Sequence, residues 1–197
     1  LICLYFKILN INPQNPSWED RDRLIFSKGH AALALYTVLV ERGFSSEDIL
    51  DDYYANGTKL ACHPVIGCMP GVETSTGSLG HGLSMGVGLA YGMKLDQKPS
   101  RVFIIMGDGE CDEGSVWEAA MAASHLKLDN LIAIIDYNKF QGFGEVAKVM
   151  GLEPLGDKWR SFGWQVKEID GHDFGQILSV FEEGMVESKK PLMIIAH

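Results

Sequence analysis

The second half of the chain alternates between short apolar runs and segments of helical pattern, which restricts its fold more than any other feature. The apolar runs are rich in Ile and Val. Runs of this kind separated by helices are typical of a parallel sheet covered on both faces. We therefore predict an α/β fold, doubly wound, with a mainly parallel sheet and helices on both faces. The predicted strands are 102–106, 131–137, 164–169 and 192–196, and the predicted helices are 114–126, 154–162 and 174–187.

The first hundred residues contain two more predicted helices separated by a long loop. Apolar positions cover nearly the whole circumference of residues 31–40, which predicts a buried helix, and a shorter helix is expected up to residue 54. Residues 55–80 are rich in Gly and Pro, and a loop of this length is usually functional or disordered. The helix predicted over 81–96 carries glycine at positions 82, 86, 88 and 92. We therefore expect another backbone, a ligand or a second subunit to approach it closely.

Residues 1–197 are predicted to form a single domain that is truncated at both ends. The opening residues, LICLYFKILNI, are apolar and have no helix-capping residue ahead of them, so we interpret them as the tail of a core helix. The closing residues, PLMIIAH, form a strand-like run with no closing element after it. The opening run is too short to span a bilayer and lacks the features of a signal peptide.

Composition excludes some classes of partner. The formal net charge is −9 and no window collects Lys and Arg, so we expect no nucleic acid partner. We expect no membrane association either. The four cysteines form no regular framework, which favours a reduced, cytoplasmic setting.

Two polar positions follow two of the predicted strands. Asp108 lies between two glycines after the first strand of the alternating region, and Asn138 follows the next strand. Ligands of such sheets bind at the carboxyl ends of the strands, and the helix that starts near Gly114 directs free N–H groups toward that edge. A carboxylate and an amide oxygen there suit Mg²⁺ bound together with phosphate oxygens. The alternative is an ordinary turn with a helix-capping Asp.

The residues around these two positions resemble a known family. A GDG turn followed by an apolar strand that ends in Asn is similar to the thiamine diphosphate-binding motif. The longer stretch GDGECDEGSVWEAAMAASHLKLDNLIAIIDYNK resembles transketolase, as do SKGH (27–30), CHP (62–64) and GVETSTGSLGHG (71–82). These blocks follow the order of the family's amino-terminal, thiamine diphosphate-binding domain. The chain is therefore identified as a member of that family.

The resemblance implies a set of site residues. It implies that Asp108 and Asn138 bind Mg²⁺ (or Ca²⁺) together with the main-chain carbonyl of Phe140, and that Gly109 offers its N–H to the diphosphate. It further implies that Gly77 and Leu79 line the aminopyrimidine pocket, that Glu113 lies at a subunit interface near the cofactor, that His30 lies beside the reacting carbon and that His63 holds the donor's terminal hydroxyl. The two histidines are the candidates for proton transfer.

The implied reaction is the transfer of a two-carbon ketol unit from a ketose phosphate to an aldose phosphate, as in the pentose phosphate pathway. In this family the glutamate that activates the aminopyrimidine comes from another domain on the opposite subunit. We therefore expect a homodimer or heterotetramer that includes a partner pyrimidine-binding domain or subunit, and no activity from this chain alone. It is either a fragment of a full-length enzyme or the amino-terminal subunit of a split transketolase. The alternatives are a deoxyxylulose-phosphate synthase, a dehydrogenase component, or a non-catalytic cofactor-binding subunit.

Overall fold

The computed structural model describes residues 1–184 and 189–197. Its strands are β1 (Arg23–Phe26), β2 (Val102–Gly107), β3 (Leu131–Asp136), β4 (Phe140–Gln141), β5 (Gly144–Glu145), β6 (Gln165–Ile169) and β7 (Leu192–Ala196). Its α-helices are α1 (Ala32–Glu41), α2 (His81–Leu95), α3 (Gly114–His125), α4 (Val146–Val149), α5 (Leu155–Ser161) and α6 (Phe174–Gly184). A π-helical turn covers Leu4–Ile8, and 3₁₀ turns cover Gly29–Ala31, Glu47–Asp52 and Gly109–Asp112.

Five strands form one parallel sheet in the order β1-β2-β3-β7-β6. Strands β4 and β5 form a short antiparallel hairpin outside it. Because the five strands run in one direction, their carboxyl ends share one edge, where ligands of open α/β sheets bind. The parallel α/β fold predicted from the alternation is confirmed.

The two faces of the sheet bury two separate cores, as strand β2 illustrates. Val102, Ile104 and Met106 point to one face and pack with apolar residues of α2, α3 and α5. Phe103 and Ile105 point to the other face and pack with α1 and α6. Every residue of β2 is buried, which explains why it is a continuous apolar run rather than an alternating one. The predicted doubly wound arrangement is therefore confirmed.

The glycines of α2 divide into two pairs. A side chain at Gly82 would overlap Ser27, and one at Gly86 would overlap strand β2. Space is open beside Gly88 and Gly92. Close approach is therefore found at the first pair, but it is made by the side chains of Ser27 and Ile104 rather than by the expected backbone, ligand or second subunit, and it lets α2 lie against the sheet.

Some elements differ from those predicted. Strand β1 is not among the predicted strands, because four residues beside a charged stretch give little pattern. The segment between β3 and α5, for which no helix or strand is predicted, contains the β4–β5 hairpin and α4. Residues 185–187 of the predicted last helix lie outside the described residues. Within the described ranges, the helices are too short or too polar to cross a membrane.

Candidate functional site

Strands β2 and β3 end side by side, and the residues that follow them form the centre of the site. The last residues of the two strands pair in the sheet register, so Asp108 and Asn138 leave the same edge. The carboxylate of Asp108 is 2% exposed and accepts hydrogen bonds from the N–H groups of Gly109 and Lys139, each at 2.7 Å. One buried carboxylate therefore connects the turn after β2 to the turn after β3.

Lys28, which follows β1, lies across the same strand ends. Its Nζ is 2.6 Å from Oδ2 of Asp136, and its aliphatic stem passes beside Gly107. Burial raises the pKa of Asp108, while its two backbone hydrogen bonds and the charge of Lys28 act in the opposite direction. A cation bound beside Asp108 would favour its ionised form further.

Asn138 and Phe140 begin the segment that leads into the β4–β5 hairpin. Oδ1 of Asn138 accepts a hydrogen bond from the N–H of Phe140 at 2.9 Å. The side chain of Gln141 crosses back over the GDG turn and donates to Oδ2 of Asp112 at 2.9 Å. A Cβ at Gly109 would lie 3.0 Å from Gln141, so glycine lets the hairpin approach the turn closely.

The donors at this edge suit a hard metal ion bound together with a phosphorylated ligand. Asp108 offers a carboxylate, Asn138 an amide oxygen and Phe140 a main-chain carbonyl, which are oxygen donors of the kind Mg²⁺ prefers. Among residues 1–184 and 189–197, no cluster of three or more His, Cys, Asp or Glu could hold a metal by itself. The three oxygen donors are of the kind that fit Mg²⁺ when phosphate oxygens complete its coordination.

The long loop brings His63 and Gly77 against the end of β1. Gly77 has φ +133°, and a Cβ there would lie 2.7 Å from Cδ2 of His63. A Cβ at Gly29 would lie 2.7 Å from the backbone nitrogen of Gly77. On its other side, Nδ1 of His63 lies 3.2 Å from Sγ of Cys62. Three of the sequence blocks singled out above therefore meet at one place in the fold.

His30 belongs to the same cluster and has an exposed side chain. Partial burial is the main cause that lowers its pKa, electrostatic interactions with Lys28 and His63 lower it further, and Asp136 acts in the opposite direction. The imidazole is therefore favoured in its neutral form, which can accept a proton.

Gly80 lies at the start of α2 and contacts the first residues of α3. It has φ +84°, and its carbonyl accepts a hydrogen bond from Oγ of Ser115 at 2.8 Å. The exposed residue Glu113 packs the base of its side chain against Gly80, where a Cβ would lie 2.6 Å from that of the glutamate. Leu79 beside it is half-buried.

The sequence did not identify Glu110, a buried carboxylate in the middle of this region. Glu110 is 1% exposed. Its Oε1 accepts hydrogen bonds from Oγ of Ser27 and from the N–H of Gly80, the latter at 3.0 Å. Burial raises its pKa, and these hydrogen bonds act against that shift. Its position in an acidic turn gives no signal that it is buried.

The sheet and the helices on its two faces define a doubly wound α/β domain. The chain belongs to the transketolase family, because residues 2–197 match the family model for the transketolase thiamine diphosphate binding domain. The resemblance noted in the sequence is thereby confirmed.

Two relatives are named as separate transketolase subunits. The chain is 46% identical over 197 residues to the 6-deoxy-6-sulfo-D-fructose transketolase subunit of Clostridium sp. (strain MSTE9), covering all of this chain and 72% of the relative. It is 45% identical over 197 residues to an apulose-4-phosphate transketolase subunit of Phocaeicola vulgatus, covering all of this chain and 70% of the relative. These matches are consistent with an amino-terminal subunit of a split transketolase.

Solved transketolases share the fold. The enzyme from Leishmania mexicana superimposes with a TM-score of 0.93 at 29% identity, over 98% of this chain and 31% of that one. The Campylobacter jejuni enzyme gives 0.89 at 36% identity, over 95% of this chain and 30% of that one. The chain thus spans about a third of the solved transketolases it matches.

Proposed function

We propose that this chain forms the diphosphate-binding side of a thiamine diphosphate-dependent transketolase. The observation that carries this proposal is the buried carboxylate of Asp108, which joins the ends of two neighbouring parallel strands beside Asn138. Family membership supports thiamine diphosphate as the cofactor.

In the proposed site, Asp108, Asn138 and the carbonyl of Phe140 hold Mg²⁺ (or Ca²⁺), and Gly109 donates its N–H to the diphosphate. That N–H now donates to Oδ1 of Asp108. Binding of a diphosphate at Gly109 would replace this contact, while the N–H of Lys139 would continue to hold the other oxygen of Asp108.

The remaining residues act at the reactive end. Thiamine diphosphate, when bound, supplies an electron sink for breaking and forming a carbon–carbon bond. Gly77 and Leu79 line the aminopyrimidine side, and Glu113 lies where a partner would approach. His63, with Nδ1 directed to Cys62, presents Nε2 to a donor hydroxyl. His30, favoured in the neutral form, accepts or returns a proton at the substrate.

The proposed substrates are a ketose donor and an aldose acceptor that carry an anionic group. Two relatives are named for a sulfo-sugar and for a sugar phosphate, which makes sulfonate and phosphate the two groups to compare. We propose that a partner domain or subunit supplies the activating glutamate, in a homodimer or heterotetramer in the cytoplasm. On this proposal the single domain is inactive alone, and a role in the pentose phosphate pathway depends on the sugars accepted.

The binding test uses the full-length chain combined with its partner, titrated with thiamine diphosphate at fixed Mg²⁺. Asp108→Asn removes the charge that holds the metal. We expect at least about a tenfold loss of cofactor affinity, the loss usual for even an outer-shell partner of a metal ligand. Glu182→Gln, at an exposed position of α6, is the control and should bind normally. Saturable binding unaffected by Asp108→Asn would contradict the assignment.

A product assay separates the rival functions. We expect ketol transfer from a ketose phosphate or a sulfo-ketose to an aldose. Release of CO₂ from pyruvate without ketol transfer would indicate a deoxyxylulose-phosphate synthase or a dehydrogenase component. Tight cofactor binding with neither reaction would indicate a non-catalytic subunit.

A further inference from the structure

Glu110 lies where three separate parts of the chain meet. It follows the GDG turn, and its Oε1 accepts hydrogen bonds from Oγ of Ser27, at the end of β1, and from the N–H of Gly80, at the start of α2. Ser27 and Gly80 are 83 and 30 residues away in sequence. A single carboxylate oxygen therefore fastens two distant segments to the GDG turn.

The fastened segments carry the candidate residues of the reactive end. Lys28 links Ser27 to Gly29, whose backbone lies against Gly77. Gly77 in turn packs on the ring of His63. The contacts therefore run without a gap from the GDG turn, through Glu110, to the histidine cluster.

The cost of burying this carboxylate suggests a role beyond stability. Oε2 of Glu110 is buried without a hydrogen bond of normal geometry among the described residues, although the backbone of Gly107 lies near the carboxylate. Burying a carboxylate costs free energy that its hydrogen bonds only partly offset, and an apolar side chain would avoid this penalty. What Glu110 provides in return is the relative position of the three segments.

We infer that Glu110 is a positioning residue that holds the segments of Ser27 and Gly80 in the arrangement that receives the cofactor. This inference rests on the proposed function. When only a fraction of the protein has the arrangement that can bind, the apparent Kd equals the intrinsic Kd divided by that fraction. Glu110 therefore raises cofactor affinity without contacting the cofactor, by keeping the loops in place beforehand.

The test measures the Kd and the number of sites for thiamine diphosphate with Mg²⁺, using the full-length chain combined with its partner. Glu110→Ala removes both hydrogen bonds, and we expect a Kd about tenfold higher, corresponding to a competent population of about a tenth. Glu110→Gln keeps an accepting oxygen in the same place, so its Kd should lie within about threefold of wild type. Glu182→Ala, at an exposed position of α6, is the matched control and should bind as wild type does.

The number of sites distinguishes positioning from a purely structural role. A purely structural defect lowers the fraction of competent protein but leaves the Kd of the folded fraction unchanged, and that result would overturn the inference. So would a Glu110→Ala variant that binds normally. If Glu110→Ala does not fold, Ser27→Ala removes one of the two connections, and an unchanged Kd in that variant would also overturn the inference. Failure of the wild type to bind thiamine diphosphate would instead contradict the proposed function.

Discussion

Gly82 of helix α2 gives the sharpest stability prediction, because the helix there has no room for a side chain. A Cβ at this position would overlap Oγ and Cβ of Ser27. Oγ could rotate away, but Cβ is fixed by the backbone of the strand end. Gly82→Ala must therefore displace either α2 or the end of β1, and with it the hydrogen bond from Ser27 to Glu110.

The expected magnitude follows from three effects. Ala is favoured over Gly by about 1 kcal/mol in a helix interior, which is the upper limit for Gly82 in the first turn of α2. Overpacking a close contact costs about 1–3 kcal/mol, and loss of a hydrogen bond to a charged group costs about 1.5–3 kcal/mol. We therefore expect Gly82→Ala to lower the free energy of unfolding by about 1.5–6 kcal/mol, since the two penalties outweigh the helical gain.

Gly88 provides the matched control on the same helix. It is exposed, and a Cβ there meets nothing within 4 Å. Gly88→Ala should therefore raise the free energy of unfolding by up to about 1 kcal/mol. Urea denaturation of the two full-length variants, followed by circular dichroism, measures the difference. Equal stability of the two variants would refute the close packing of α2 on Ser27.

Two further predictions concern titration and a buried ion pair. The pKa of His30, lowered by partial burial and by Lys28 and His63, should be found by NMR titration below about 6.5. A lowered pKa in the folded state means that the unfolded state binds more protons, so the contribution of His30 to the free energy of unfolding is present above about pH 6.5 and is lost as the pH falls through the folded pKa. His30→Gln should remove this pH dependence. Asp22 is 2% exposed and lies 2.5 Å from the guanidinium of Arg101. Asp22→Ala should lower the free energy of unfolding, measured by urea denaturation, by about 3–5 kcal/mol. A loss below about 1 kcal/mol would place that pair among surface ion pairs.

The parallel sheet and its polar edge were predictable because their signals are local. A buried parallel strand is a continuous apolar run, and the residue after it lies at the carboxyl edge whatever its neighbours are. Asp108 and Asn138 could therefore be placed at one edge from the sequence. Strand β1 was missed because its four residues follow a charged segment. Its place in the sheet is determined by pairing with β2, which is almost eighty residues away in sequence.

Glu110 shows why the rest of the site could not be predicted in the same way. A glutamate in an acidic turn at the start of a helix is usually solvated, and it is stabilised there by the helix dipole. Its burial depends on Ser27 and Gly80, which reach it only after β1, β2 and α2 have packed together. Gly82 is also required for this arrangement, because its lack of a side chain leaves the space that Ser27 occupies. Neither Glu110 nor Gly82 by itself indicates the hydrogen bond from Ser27 to Glu110. The glycines of α2 predict from the sequence that this helix is closely packed, but only the structure shows that the burial of Glu110 depends on that packing.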